Sequence, residues 1–225
     1  MVDYLKKLNR KKVLTLGDTL PASFCSSNFD GAERDYLPER CLYSLIAQDA
    51  VVEELAKFQE DMLEWDASDR ADFSRKYNDS SLHKLAEWIL ANARRAFAVA
   101  IQCNLRPLHL LLSMVIFKDS EFTDEDLPLA DPRITRAPSE KWAEDIWTPR
   151  LLRDFYGKQW TCLVPVFSPD NYQLDLPQNY IFPFTKEDEN PKVGAFSSVY
   201  KVSIHPEHQR HKGMEHVSKG RAQYI

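Results

Sequence analysis

The sequence predicts a mainly α-helical chain that closes with a short β segment, and three observations predict it. Apolar residues recur every three to four positions between residues 38 and 160, the spacing of helices with one buried face. After Trp160 the period shifts toward two, in short apolar runs bounded by proline, aspartate and asparagine, as strands are. A composition of 44% hydrophobic and 28% charged residues over 225 positions suits a folded chain, with material for one large domain or two small ones. The expected organisation is a basic N-terminal segment (residues 1–34), a helical module (35–160), a β segment (161–208) and a disordered basic tail (209–225).

Taken in order, the N-terminal segment interleaves Lys6, Lys7, Arg10, Lys11 and Lys12 with Leu5 and Leu8. Charges at these places interrupt the apolar stretch that a secretory leader needs, so the chain is expected to be intracellular, cytoplasmic or nuclear. A helix with a solvated charged face is the simpler reading; docking on an anionic surface or an import signal is the alternative. Pro38 precedes the first periodic run, Leu42, Leu45, Ile46, Val52, Leu55, Phe58 and Met62. A second run, Leu82, Leu85, Ala86, Ile89, Ala93, Ala96, Phe97, Ala100 and Ile101, predicts one long amphipathic helix ending near Asn104. Asp79, Ser80 or Ser81 is its expected N-cap. Pro107 can open the partner helix of a hairpin, through Leu108, Leu111, Leu112, Val115 and Ile116, and the first run packs on that pair. The module is therefore expected to hold three or four helices.

Residues 119–136 turn acidic and proline-rich and predict a loop. Asp119, Glu121, Asp124, Glu125 and Asp126 invite a calcium reading, but the spacing opposes it. A calcium loop begun at Asp119 would place Asp124 at the glycine turn and Ala130 at the bidentate glutamate. A solvated acidic loop is expected instead. Residues 139–160 read as helical, with Trp142, Ile146, Leu151, Leu152, Phe155 and Trp160 on the apolar side and Pro149 marking a break or a second start. Beyond them, residues 161–167 and 180–184 have the character of edge strands, and residues 198–204 alternate cleanly.

Bulk chemistry narrows the function. A net charge of −5 and a pI of about 5.7 give no global reason to expect nucleic acid as a partner. No stretch reads as a membrane span. The cysteines at 25, 41, 103 and 162 lie too far apart for a C-x-x-C metal half-site or redox pair, and are expected to be reduced thiols packed as small hydrophobes. His205, His208, His211 and His216 cluster near the C-terminus, but an i, i+3, i+6 spacing only partly shares a helical face and Pro206 opposes a continuing strand. A solvated basic tail is the expectation there.

The segment Val193-Gly194-Ala195-Phe196-Ser197-Ser198-Val199-Tyr200-Lys201-Val202 resembles the G-x-G-x-x-G-x-V strand-turn-strand that covers ATP in protein kinases. Lys192 stands at the first glycine, Gly194 at the second, Phe196 at the aromatic tip, Ser197 at the third glycine and Val199 at the valine. With Tyr36-Leu37-Pro38-Glu39, Phe155-Tyr156-Gly157-Lys158-Gln159-Trp160, Ile181-Phe182-Pro183-Phe184 and Tyr200-Lys201-Val202-Ser203-Ile204-His205-Pro206, the likeness extends over residues 35–208. It is similar to a group of fungal protein kinases with a helical N-terminal extension.

The resemblance implies that the β segment corresponds to the first strands of a kinase small lobe. It implies ATP with magnesium as cofactor and Lys192, Val193, Gly194, Ala195, Phe196, Ser197 and Val199 as the nucleotide-binding loop. Lysine at the first glycine removes a conformationally permissive residue from that turn. The V-A-I-K, H-R-D-L, D-F-G and A-P-E elements do not occur in these 225 residues, so no catalytic residue is assigned. Phosphoryl transfer is not expected of them, and nucleotide binding is expected to be weak or absent. The alternative is a non-catalytic helical module that binds a protein partner.

Overall fold

The structure, a computed structural model, describes residues 15–28, 33–134, 142–170, 176–187, 192–193, 198–199 and 202–210. The first helix, α1 (Leu16–Ala22), is started by a capping box. The Thr15 hydroxyl accepts from the Asp18 N–H at 3.2 Å, and the Asp18 carboxylate accepts from the Thr15 N–H at 3.2 Å. Strands β1 (Cys25–Ser27) and β2 (Arg34–Tyr36) then pair antiparallel, Cys25 opposite Tyr36. These three elements are too short to leave a periodic signal in the sequence, where residues 16–34 carry only the label of a basic segment.

The first periodic run is helical, but it divides into α2 (Glu39–Leu45), α3 (Gln48–Ala56) and α4 (Phe58–Asp61). Between them Ile46 (φ −85°, ψ 65°) and Ala47 (φ −94°, ψ 162°) leave the helical region, which lets the chain turn while Ile46, Val51, Leu55 and Phe58 all stay fully buried. Helix α5 (Ala67–Lys76) has no buried residue and escaped periodicity for that reason.

The predicted long helix is two helices, α6 (Asp79–Asn92) and α7 (Arg94–Gln102), broken at Ala93 (φ −138°, ψ 35°). Its cap is Asn78, whose Oδ1 accepts from the Ser81 N–H at 3.1 Å, rather than any of the three residues that follow. The physical reason for the break lies far along the chain. Asp124 Oδ2 and Oδ1 accept from the Arg95 and Ala96 N–H groups, each at 2.9 Å, and so satisfy the exposed donors of a second helix start. Asp124 therefore belongs to the core scaffold, not to a solvated acidic loop. Burial pushes its carboxyl pKa up in spite of these bonds. The break lets α7 sink into the centre, where Ala96, Phe97, Ala98, Val99 and Ala100 are fully buried.

Pro107 opens α8 (Pro107–Asp119), and the Asp61 carboxylate caps it by accepting from the Leu108 N–H at 2.9 Å. Residues 142–148 form turns rather than helix, and α9 (Pro149–Lys158) starts at Pro149 with the Thr148 hydroxyl accepting from the Leu151 N–H. The aromatics of this region are core. Phe117 meets Phe122, Trp142, Trp147 and Phe155 with ring centroids 4.5–6.1 Å apart. Fully buried Gln159 ties the 119–136 loop to the end of α9, accepting from the Leu129 N–H at 2.6 Å and donating to the Leu129 carbonyl at 3.0 Å.

The β segment is smaller than its apolar runs suggest. Residues 163–166 and 181–183 pair into no strand, and Phe167 makes a single parallel bridge to Gln209. Strands β3 (Phe184–Glu187), β4 (Lys192–Val193), β5 (Ser198–Val199) and β6 (Val202–Ile204) follow. A second small core, Tyr36, Trp160, Val164 and Ile181, lies beside the main one.

Candidate functional site: the hairpin and its seat

Strand β3 pairs antiparallel with β6, and β4 with β5. The registers nest: Lys192 faces Val199 and Val193 faces Ser198 in the inner pair, while Glu187 faces Val202 and Phe184 faces Ile204 in the outer one. The β4–β5 pair thus falls within the β3–β6 pair along the chain, and these paired strands are called the hairpin below. Of the loop residues read from the sequence, Lys192, Val193 and Val199 lie on its inner strands. Gly194, Ala195, Phe196 and Ser197 lie outside the described residues, as do His211 and His216.

The base of the hairpin is held against the helical module. Strand β6 ends at Ile204, and Pro206 opens a single 3-10 turn, Pro206–His208. His205 caps that turn, and its ring and that of His208 lie with centroids 5.9 Å apart. Both rings meet Tyr36 edge-on, at centroid distances of 6.1 and 5.6 Å, and Tyr36 is fully buried. His208 is only 1% exposed, which corrects the solvated reading of the histidine cluster at this residue.

The polar contacts of this seat are specific. The Glu39 N–H donates to His208 Nε2 at 3.3 Å, and His208 Nδ1 lies 3.1 Å from the Pro165 carbonyl. A carbonyl only accepts, so the proton sits on Nδ1 and Nε2 is the acceptor: the neutral ring satisfies both partners. Beside it, the Glu207 carboxylate accepts from the Arg40 N–H at 3.0 Å. The Arg210 guanidinium reaches Glu39 at 3.5 Å, and Arg95 of α7 reaches the other oxygen of Glu39 at 3.8 Å. Backbone bonds of 2.8 Å from the Phe167 N–H to the His208 carbonyl and from the Arg210 N–H to the Phe167 carbonyl close the joint. Gln209 and Arg210 are therefore placed, although the tail was expected to begin at 209.

His205 Nδ1 accepts from the Glu207 N–H at 3.3 Å, which leaves the neutral ring's proton on Nε2, facing Cys25 Sγ at 4.0 Å. The pair is not a primed nucleophile. Burial, reinforced by the nearby Glu207 charge, pushes the Cys25 thiol pKa up, away from thiolate. All four cysteines are free thiols, and burial raises Cys103 to about 12 and Cys162 to about 11.

Among the described residues no group of three histidine, cysteine or acidic side chains is placed to hold a metal ion, and no helix is long and apolar enough to cross a membrane. The residues that seat the hairpin, Tyr36, Glu39, Arg40 and Glu207, were not named as site residues from the sequence. The available signals were the Tyr36-Leu37-Pro38-Glu39 start of the first helical run and the i, i+3 histidines. The chain matches no protein-family model, no curated protein and no solved structure.

Proposed function

We propose that this chain is the N-terminal part of a serine/threonine-type protein kinase, with residues 184–204 corresponding to the first two strands of the small lobe and the helical region regulating them. The observation that supports this is the antiparallel pairing of β4 with β5 inside that of β3 with β6. In the sequence, the residues between β4 and β5 carry the aromatic tip and the serine of the kinase-like loop. A glycine-loop cover works by letting backbone N–H groups approach phosphate oxygens, and an antiparallel hairpin is the scaffold that presents such a turn.

ATP with magnesium does not fit the residues present here as a complete site. Lys192 occupies the place of the first glycine, a β3 lysine to pair the phosphates is missing from the 225 residues, and no carboxylate set for magnesium stands among the described residues. No step of phosphoryl transfer is therefore drawn through it. Calorimetric titration with magnesium-ATP tests the loop. The reading expects binding no tighter than about 1 mM, roughly 4 kcal/mol, because the pocket beneath the cover is missing. Micromolar binding would contradict that incompleteness, and no heat at millimolar nucleotide would remove residues 192–199 as a functional site in this chain.

A second reading takes the helical module itself as the working unit, binding a protein partner while the β segment caps it. It is favoured by the burial of His208 against β2 and α2, which integrates the hairpin base with the helices, and by Leu63 and Trp65, 70% and 36% exposed on the turn after α4.

A further inference from the structure

The seat of the hairpin is built for a neutral imidazole, and its construction points to control by protons. His208 has one donor-seeking and one acceptor-seeking neighbour, and the neutral ring with its proton on Nδ1 serves both. A second proton would have to sit on Nε2, where the Glu39 N–H already points from 3.3 Å. Two N–H groups would then face each other, and a charge would be enclosed in a site 1% open to water. The same turn also carries backbone bonds of the joint, since the His208 carbonyl accepts from Phe167 and the Phe167 carbonyl from Arg210.

We propose that residues 205–210 form a proton-sensitive latch: neutral His208 seats the base of the hairpin on the helical module, and protonated His208 releases it. The inference concerns how the hairpin is held and stands whether or not its tip covers a nucleotide.

The charges around the ring do not neutralise this effect. From α2, the Glu39 carboxylate favours the protonated form, but it is shared between Arg95 of α7 and Arg210. Arg95 and His205 oppose protonation of His208, while Glu207 is engaged by the Arg40 N–H. Tyr36 of β2, with the thiols Cys25 and Cys41, adds neutral groups whose own ionisation is pushed up by burial. Burial wins, and it lowers His208 from the ordinary 6.5 to about 4; His205 is lowered too, by the same cause.

The sign follows from linkage. A histidine whose folded value is depressed costs nothing above its free value of 6.5, and its seat weakens progressively as pH falls from there toward 4. Over those 2.5 pH units the released ring binds its proton roughly 300-fold more tightly than the seated one.

The test is amide hydrogen exchange of the 225-residue protein between pH 7.5 and 4, with the His208 ring followed by NMR in the same samples. Protection factors at the Phe167 and Arg210 amides, which close the joint, and at the Glu39 and Arg40 amides, which donate to His208 and Glu207, should fall by up to about 80-fold between pH 6.5 and 4. Those at Ala93, Phe97 and Cys103 in the helical core should fall less than threefold. In His208→Gln most of the pH-dependent fall should vanish at whatever protection level that variant starts from, and in His205→Gln most of it should persist. The latch is overturned if His208 titrates near 6.5 while the joint stays protected, if the helical core loses protection in parallel, or if the fall persists in His208→Gln.

Discussion

Replacing Asp124 tests why the chain breaks its longest apolar run in two. Helix α7 starts at Ala93, which supplies no side-chain cap, so the Arg95 and Ala96 N–H groups depend on the Asp124 carboxylate, both at 2.9 Å. Hydrogen bonds to a charged acceptor contribute about 1.5–3 kcal/mol each before the cost of burying the charge is deducted. Loss of a helix N-cap costs about 0.5–2 kcal/mol, and the favourable meeting of a carboxylate with a helix N-terminus adds about 0.3–1. Because burial holds this carboxyl above the usual range, desolvation offsets part of the gain. The net expectation is about 2 kcal/mol for Asp124→Ala and about 1 kcal/mol for Asp124→Asn, which keeps one acceptor and turns its amide toward the other donor. Urea unfolding followed by circular dichroism reads both, with the slope m unchanged. The reasoning is refuted if Asp124→Ala lies within ~0.3 kcal/mol of the parent, or if Asp124→Asn is the more damaging of the two.

Two further substitutions probe the scaffold beneath the hairpin. Gln159→Leu leaves the Leu129 N–H and carbonyl without partners in a fully buried place and should cost about 2–4 kcal/mol by the same unfolding assay. Tyr36→Phe should do the reverse: Tyr36 is fully buried and its hydroxyl has no hydrogen-bond partner among the described residues, so removing it should leave stability unchanged or raise it by up to about 1 kcal/mol. A loss above that size would mean that the hydroxyl is engaged in solution.

The elements that were legible in the sequence are those whose cause is local. Pro107 and Pro149 start helices because a missing N–H costs nothing at a first turn, and both do so here. Leu82, Leu85, Ala86 and Ile89 are buried along one face of α6, as their spacing predicts. The break at Ala93 was not legible, because its cause is a carboxylate 28 to 29 residues beyond the Ala96 and Arg95 amides it holds. The seat of the hairpin was hidden for the same reason. His208 reads as a tail residue until Glu39 and Tyr36 are brought to it, and its bond to Glu39 spans 169 positions. The i, i+3 spacing does bring the two histidine rings together, but the spacing carries no sign of the buried Tyr36 that both rings meet. Helix α5, with Phe73 as its one large apolar anchor against Phe58 and Tyr77, left no period to read.

The central claim, that the hairpin belongs to a protein-kinase small lobe, is tested most directly by reading the transcript beyond codon 216. The account predicts in-frame coding sequence carrying a V-A-x-K strand, followed by an H-R-D catalytic loop and a D-F-G metal site, the parts that a glycine-loop cover requires beneath it. A verified stop with none of these downstream would contradict it and leave the helical module as the working unit.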